Sequence, residues 1–139
     1  MEKVNYQPAG MKNVIPYLMV DNVSGLIEFI QTIFGGHLKF KLDRPDGKIM
    51  HAEIIIDDSL IMAGEPMEQY GVFPASIYIY VPDCDNTYNK ALDFGATSIM
   101  TPTTMTHAGE RYGGVKDKNG NIWWIATHVE DLTPKEQAR

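Results

Sequence analysis

The chain has 139 residues, 44% of them hydrophobic and 22% charged, which is typical of one small globular domain. Its formal net charge of −6, without a run of lysine or arginine, argues against a nucleic-acid partner. No apolar stretch approaches the length that crosses a membrane, and the lone Cys84 excludes an internal disulfide, so we expect a soluble cytoplasmic protein with no membrane partner.

The chain nearly repeats itself once, about 61 residues along. Three pairs of similar segments follow one another in the same order, and such self-similarity constrains the fold more than any single segment does. The pairs are Tyr17-Leu18-Met19-Val20 with Tyr78-Ile79-Tyr80-Val81, Phe34-Gly35-Gly36 with Phe94-Gly95-Ala96, and Leu60-Ile61-Met62 with Ile122-Trp123-Trp124. Two copies are too few for a solenoid, so the repeat predicts two paired modules around one shared site.

The first module, residues 14–64, has the pattern of a strand, a helix and three more strands. The mostly apolar segment 14–20 predicts the first strand. An amphipathic stripe predicts the helix, which Asp21 or Asn22 can cap and Gly35 can end; the stripe is Leu26, Phe29, Ile30 and Ile33. Turn-forming residues separate the three further strands, which are predicted at His37–Leu42, Lys48–Ile56 and Leu60–Ala63.

The second module, residues 76–128, repeats this order. A strand at Ile77–Val81 precedes a helix that Asp85 is expected to cap and Gly95 to end. The remaining strands are predicted from Thr97 to Met100, then at Arg111–Lys116 and Ile122–Ala126, with Thr101–Gly109 as a loop. Residues 65–75 read as a linker and residues 129–139 as a tail, with Thr133 able to cap a short helix there.

These elements predict a single α/β (or α+β) domain over residues 1–139. Two tandem βαβββ modules should form a cupped, mostly antiparallel sheet with the helices outside, because each sheet needs one face covered by apolar packing. The strand alternation makes that face aliphatic, and it makes the other face aromatic and polar. Flat aromatic groups with a few polar groups beside them suit a planar or conjugated small molecule. The candidate ligand-binding residues on this second face are Tyr17, His51, Glu53, Tyr78, Tyr80, Arg111 and Trp124.

His51 and Glu53 lie two residues apart on one predicted strand, so their side chains share a face. They are the candidates for catalytic residues, as an acid–base pair, as groups that orient a ligand, or as two ligands of a relocated metal. A hydrogen-bonded pair that stabilises a half-buried strand explains them as well. The tyrosines are equally compatible with simple packing of the inner surface: Tyr17, Tyr78 and Tyr80.

Arg111 is the best candidate for binding an anion, although a pairing with Glu53 would make it structural. His107 and Glu110 precede a strand and are expected to be solvated loop residues. His128 follows the last strand, where it can cap the edge of the sheet.

Several segments together form a characteristic series: Ile15-Pro16-Tyr17-Leu18, Met50-His51-Ala52-Glu53 with Asp58-Ser59-Leu60-Ile61-Met62, Gly109-Glu110-Arg111-Tyr112-Gly113, and Asp117-x-x-Gly120-x-x-Trp123 with Ala126-Thr127-His128-Val129-Glu130-Asp131. Their order and spacing over residues 13–135 resemble the vicinal oxygen chelate superfamily, and within it the PhnB-like branch. That superfamily includes glyoxalase I, fosfomycin-modifying enzymes, extradiol dioxygenases and bleomycin-binding resistance proteins. The resemblance implies two paired βαβββ modules, and a homodimer in which each site takes residues from both chains.

The resemblance also identifies where a metal would be held. Metal-using members place a His or Glu in the first and last strands of each module, and the corresponding positions here are Ile15, Met62, Ser76 and Trp124. Divalent metals need carboxylate or imidazole donors, which these side chains lack. We therefore expect no metal and no other cofactor, and a protein that binds a planar or aromatic ligand. The alternative is a metal-dependent lyase, isomerase or thiol transferase with a displaced His51/Glu53 site, so whether the protein is an enzyme stays open.

Overall fold

The computed structural model describes residues 4–138, so the first three residues and Arg139 of the expected domain lie outside the described range. The predicted α+β order of elements is confirmed. The strands are β1 (Tyr17–Met19), β2 (His37–Asp43), β3 (Ile49–Ile56), β4 (Ser59–Gly64), β5 (Ser76–Tyr80), β6 (Thr97–Met105), β7 (Glu110–Lys116) and β8 (Ile122–His128). The helices are α1 (Val23–Phe34), α2 (Cys84–Asp93) and α3 (Pro134–Gln137), and none of them is long and apolar enough to span a membrane.

The two modules have the same topology. Their sheets have the orders β1-β4-β3-β2 and β5-β8-β7-β6, and among residues 4–138 no strand ladder joins them. In each module the first strand runs parallel to the last, while the other neighbours are antiparallel. Tyr17 pairs with Met62 in the first sheet, and Tyr78 pairs with Trp124 in the second. The sequence repeat is therefore a structural repeat.

Two strand predictions need correction, and a proline is involved in each. Residues 14–16 are not part of β1, since Pro16 has no N–H for a ladder and contributes only its carbonyl, which accepts from the Met62 N–H at 2.9 Å. The segment 101–105, predicted as loop, extends β6 instead. The ladder to β7 is interrupted between Met100 and Thr103, so Pro102 lies at an irregularity where no donor is required.

Side-chain caps define the helix ends. The Asn22 side chain accepts the Gly25 N–H at 3.2 Å at the start of α1, and Gly35 ends that helix with φ of +67°. Helix α2 is capped by Asp83, whose carboxylate accepts the Asn86 N–H at 3.2 Å, and not by Asp85 as predicted. Thr133 caps α3 as expected.

A single hydrophobic core extends across both modules on the helix side of the sheets. Trp123 of β8 has an exposure of 0% and contacts two rings of α1. Its ring centroid lies 6.0 Å from that of Phe29 and 4.9 Å from that of Phe34. Helix α1 thus packs on a strand of the second module as well as on its own sheet, and the core is shared.

Asp117 fixes the turn between β7 and β8 to this core. It is 5% exposed, and its carboxylate accepts the Trp123 indole N–H at 2.8 Å and the Asn121 side-chain amide at 3.0 Å. The same turn places the Asn119 side-chain amide 2.6 Å from the carbonyl oxygen of Asp21 and 2.8 Å from that of Asn22. The turn therefore links the second module to the start of α1.

We expect Asp117→Ala to lower the free energy of unfolding by about 3 kcal/mol. Each buried donor left without a partner costs about 1–3 kcal/mol, and both the Trp123 indole and the Asn121 amide would lose theirs. Urea denaturation measures the change. Asp93→Ala, at an exposed carboxylate on α2, is the control and should change stability little. Equal losses in the two variants would contradict the role of Asp117.

Candidate functional site

The side of each sheet that faces away from α1 and α2 is called the open face here. It carries large apolar side chains that remain about half exposed, with values from 44% for Tyr78 to 58% for Tyr80. Others on this face are Tyr17, Phe40 and Leu42. Trp124 also lies here, directly after the buried Trp123, as the strand alternation predicted.

The open face of module one brings together three of the predicted residues. The His51 ring lies 5.9 Å from the Tyr17 ring and 6.3 Å from the Phe40 ring. Its Nε2 is 3.0 Å from the Glu53 carboxylate, which also lies 4.0 Å from the Lys39 ammonium. The His51 and Glu53 side chains are 24% and 14% exposed, so this pair is hydrogen-bonded and still reachable from the open face.

The open face of module two carries a chain of aromatic rings in edge-to-face contact. Tyr78 lies 5.4 Å from Tyr80 and 5.8 Å from Tyr112, and Tyr112 lies 6.1 Å from Trp124, with interplanar angles of 71°, 61° and 87°. The Trp124 indole donates to the Ser76 hydroxyl at 3.0 Å. Tyr112 was not among the predicted residues. Its alternation with the buried Val115 in β7 was the signal that places it here.

Arg111 does not lie on the open face, so that prediction was wrong. Its Nε and one terminal nitrogen donate to the two carboxylate oxygens of Asp85 on α2, at 2.7 and 2.8 Å. These hydrogen bonds lower the pKa of Asp85 to about 2. The reason is the register of β7, because Arg111 shares a side of the strand with Val115, which packs in the core. Its partner is therefore Asp85 and not Glu53.

Glu110, expected to be a solvated loop residue, is instead the first residue of β7, and its side chain is only 13% exposed. It accepts a hydrogen bond from the Tyr80 hydroxyl, and its other oxygen lies 2.9 Å from Nδ1 of His128, the residue opposite it in β8. Nε2 of His128 lies 2.6 Å from the Asp131 carboxylate. A polar network thus borders the aromatic chain.

Each pKa shift in this network follows from its contacts. Partial burial, together with the nearby Glu110 charge, raises the pKa of Tyr78 to about 12. Partial burial works to raise the pKa of Glu110, but hydrogen bonds from Tyr80 and His128 outweigh it and lower that pKa. Hydrogen bonds to Asp131 and Glu110 raise the pKa of His128. The arrangement favours an ionised Glu110 beside a protonated His128.

The residues at the four family metal positions do not fit a hard divalent ion. Met62 presents a thioether and is paired with Tyr17, and the Ser76 hydroxyl already accepts the Trp124 indole N–H. Among residues 4–138, no group of three or more His, Cys, Asp or Glu side chains is arranged to hold a metal.

A cavity of about 410 Å³ adjoins the open face of module one. Apolar side chains make up most of its wall, with two charged groups among them. Its lining residues are Tyr17, Met19, Arg44, Met50, Gly64, Glu65, Met67 and Tyr70. A second cavity, of about 320 Å³, lies on the helix side between the modules, and none of the predicted site residues lines it.

Comparisons with known proteins give a family and several structural relatives. The model of the Glyoxalase/Bleomycin resistance protein/Dioxygenase superfamily matches residues 13–125. An uncharacterized protein of Mycobacterium bovis, Mb0911c, is 28% identical in an alignment of 144 positions, which covers 96% of this chain and 91% of that protein.

Solved structures share the fold. A PhnB protein of Bacillus cereus, described as a putative 3-demethylubiquinone-9 3-methyltransferase, is 15% identical with a TM-score of 0.69, over 84% of this chain and 99% of that one. The fosfomycin resistance protein FosX of Listeria monocytogenes is 13% identical with a TM-score of 0.63, over 91% of this chain and 98% of that one. At these identities the two structures share the fold.

The raised pKa of His128 predicts a pH-dependent contribution to stability. A group whose pKa is higher in the folded state stabilises that state when protonated, so the contribution is complete below the unfolded pKa of about 6.5. It is lost as the pH rises through the folded value. We expect the stability difference between wild type and His128→Gln in urea denaturation to shrink as the pH rises above about 6.5. Glu110→Gln should weaken this dependence, while Glu130→Gln, at an exposed carboxylate, should preserve it. A difference that grows with pH would contradict the network.

Proposed function

Because the chain belongs to the Glyoxalase/Bleomycin resistance protein/Dioxygenase superfamily, we propose that it binds a planar or aromatic small molecule on the open face without a metal ion. The observation that carries this proposal is the chain of four aromatic residues in module two, Tyr78, Tyr80, Tyr112 and Trp124. Tyr78 and Tyr80 are 44% and 58% exposed, and Tyr112 and Trp124 are partly exposed, although the sheet beneath them is packed on its other side. Ring faces and edges presented together suit a flat, conjugated ligand.

Polar groups beside the rings would orient the ligand. Glu110 and His128 border the aromatic chain in module two, and His51 with Glu53 occupies the open face of module one. Both pairs remain partly exposed, so each can exchange a hydrogen bond with a ligand. Placement in the PhnB-like branch is part of this proposal and is supported by the fold shared with the Bacillus cereus PhnB protein.

We also propose that the protein is a cytoplasmic homodimer in which the open faces are covered by the partner chain. Phe40, Leu42 and Tyr17 on module one and Tyr80 on module two form apolar surfaces that a lone monomer would leave in water. Two-fold symmetry would place module one of each chain against module two of the other. The buried, unpaired Cys84 is consistent with a reducing compartment.

A second candidate function is an enzyme with an acid–base or metal site at His51 and Glu53. The 3.0 Å hydrogen bond between these side chains is the observation that favours it. Metal analysis of protein purified without a histidine tag separates the two functions. Near-stoichiometric Ni, Zn, Mn or Fe would support the enzyme and overturn metal-independent binding.

For the binding function, we expect Trp124→Ala or Tyr80→Ala to weaken ligand binding by roughly 1–3 kcal/mol, since buried aromatic anchors commonly contribute that much. A thermal-shift screen of planar antibiotics and thiol conjugates, with and without divalent metals, would find a ligand, and calorimetry would measure the affinities. Tyr6→Ala removes a tyrosine that is 87% exposed near the N-terminus and should leave affinity unchanged. A ligand that binds all three variants as tightly as wild type would place its site elsewhere.

For the assembly, sedimentation equilibrium should report a dimer at micromolar concentration. Phe40→Lys puts a charge on the apolar open face and should yield monomers, whereas Tyr6→Lys should not. A wild-type monomer under these conditions would contradict the dimer.

A further inference from the structure

We propose that the cavity beside Tyr17 binds an anionic group, such as a carboxylate or sulfonate, and that Arg44 recognises its charge. This inference rests on the proposed function, because it gives the chemical class of the ligand that the open face would bind. It adds a polar determinant that neither the aromatic chain nor the His51–Glu53 pair supplies.

Arg44 is a mostly buried cation, and its positive charge is only weakly balanced by a neighbouring carboxylate. Its side chain is 17% exposed, and its Nε is buried without a hydrogen-bond partner among the described residues. The Asp46 carboxylate lies 3.5 Å from this nitrogen, too far for a good N–H···O bond. The same Asp46 oxygen accepts the Lys48 N–H at 2.9 Å, and the Asp46 side chain is 56% exposed. Buried donors are nearly always paired, so the anionic group of a ligand would give this nitrogen a better acceptor than Asp46 does.

The cavity that Arg44 lines has the size and wall of a ligand site. Its volume of about 410 Å³ lies within the range of small-molecule pockets, roughly 300–1,000 Å³. Three methionines, Met19, Met50 and Met67, give it an adaptable apolar surface. An aromatic body can lie against these thioethers while its anionic group reaches the guanidinium, which holds carboxylates and sulfonates through a planar fork of N–H donors.

Gly64 helps to form this cavity. A Cβ at this position would lie 2.8 Å from the Tyr17 hydroxyl and 2.6 Å from the Met50 carbonyl oxygen. A side chain here would displace the Tyr17 ring, which forms the boundary between the cavity and the open face. The cavity and the open face therefore share one wall, and a single ligand can contact both.

Glu65 is the other charged residue of the cavity wall, and its carboxylate accepts the Ile49 backbone N–H. This hydrogen bond fixes it in place, where its negative charge opposes an anion. The two opposite charges allow a test in both directions. Removal of Arg44 should weaken anion binding, and removal of the Glu65 charge should strengthen it.

The test uses two fluorescent probes that differ in one charged group. 8-Anilino-1-naphthalenesulfonate carries a sulfonate on an aromatic body, and N-phenyl-1-naphthylamine is nearly the same body without it. We expect Arg44→Gln to weaken binding of the sulfonate about tenfold or more, because a hydrogen bond between charged groups is lost, and to change binding of the neutral amine less than twofold. Arg44→Lys keeps a point charge and should lie between wild type and Arg44→Gln.

Two further variants serve as controls. Lys41→Gln removes an equal charge from the neighbouring strand, where Lys41 pairs with Asp43 at 3.5 Å, and should leave both affinities unchanged. Glu65→Gln keeps an oxygen for the Ile49 N–H and should strengthen sulfonate binding severalfold. Thermal melts verify that each variant is folded.

The outcomes separate this inference from the proposed function. If wild type binds both probes and Arg44→Gln binds the sulfonate as tightly as wild type does, the anion site is wrong while planar-ligand binding stands. If Lys41→Gln weakened sulfonate binding as much as Arg44→Gln, the inference would be overturned as well, since the change in net charge would then explain the lower affinity. If wild type binds neither probe and no ligand in the screen, the proposed function itself fails.

Discussion

The burial of Trp123 between the two modules is the contact on which the rest of the structure depends. Its ring packs against Phe29 and Phe34 of α1, and its indole N–H is held by Asp117. Because adjacent residues of a strand point to opposite sides, fixing Trp123 in the core also fixes Trp124 on the open face. The aromatic chain of module two is therefore positioned by the same contact that joins the modules, and a change in the core at β8 would move the site.

The open face shows how this chain departs from metal-using members of its superfamily. Tyr17 beside Met62 and Tyr78 beside Trp124 are equivalent pairs in the two sheets, and both pairs include a position where those members hold a metal ligand. A thioether and an indole stand there, and neither is a donor that a hard divalent ion prefers. The ionisable pairs of this face are His51 with Glu53 in one module and Glu110 with His128 in the other. Under the proposed function, these groups would orient the ligand beside the rings.

The sequence was informative where periodicity was strong, and it failed where a position depended on register or on an irregular segment. The repeat predicted both modules, and alternation placed Tyr17, Tyr78, Tyr80 and Trp124 on the open face because their strands have clearly aliphatic opposite sides. Arg111 was misplaced because the alternation of β7 is anchored only by Val115, and the two glycines before Val115 carry no hydrophobic signal. Glu110 and Tyr112, on the other side of β7, were missed for the same reason. Arg44 lies in a turn, and Met67 and Tyr70 lie in the linker, where no periodicity indicates what a side chain contacts.

The contacts between the modules run through α1, α2 and Trp123, on the side of the sheets away from the open face. If the proposed sites are correct, each chain presents two separate half-sites, one with the His51–Glu53 pair and the cavity at Arg44, and one with the aromatic chain. A ligand large enough to use both would need a second copy of the chain to bring an opposite half-site against each of them. On this view the exposed apolar residues of the open face serve assembly and binding at once. Under this proposal each half would supply only one part of the recognition, which is consistent with one topology carrying different side chains in the two modules.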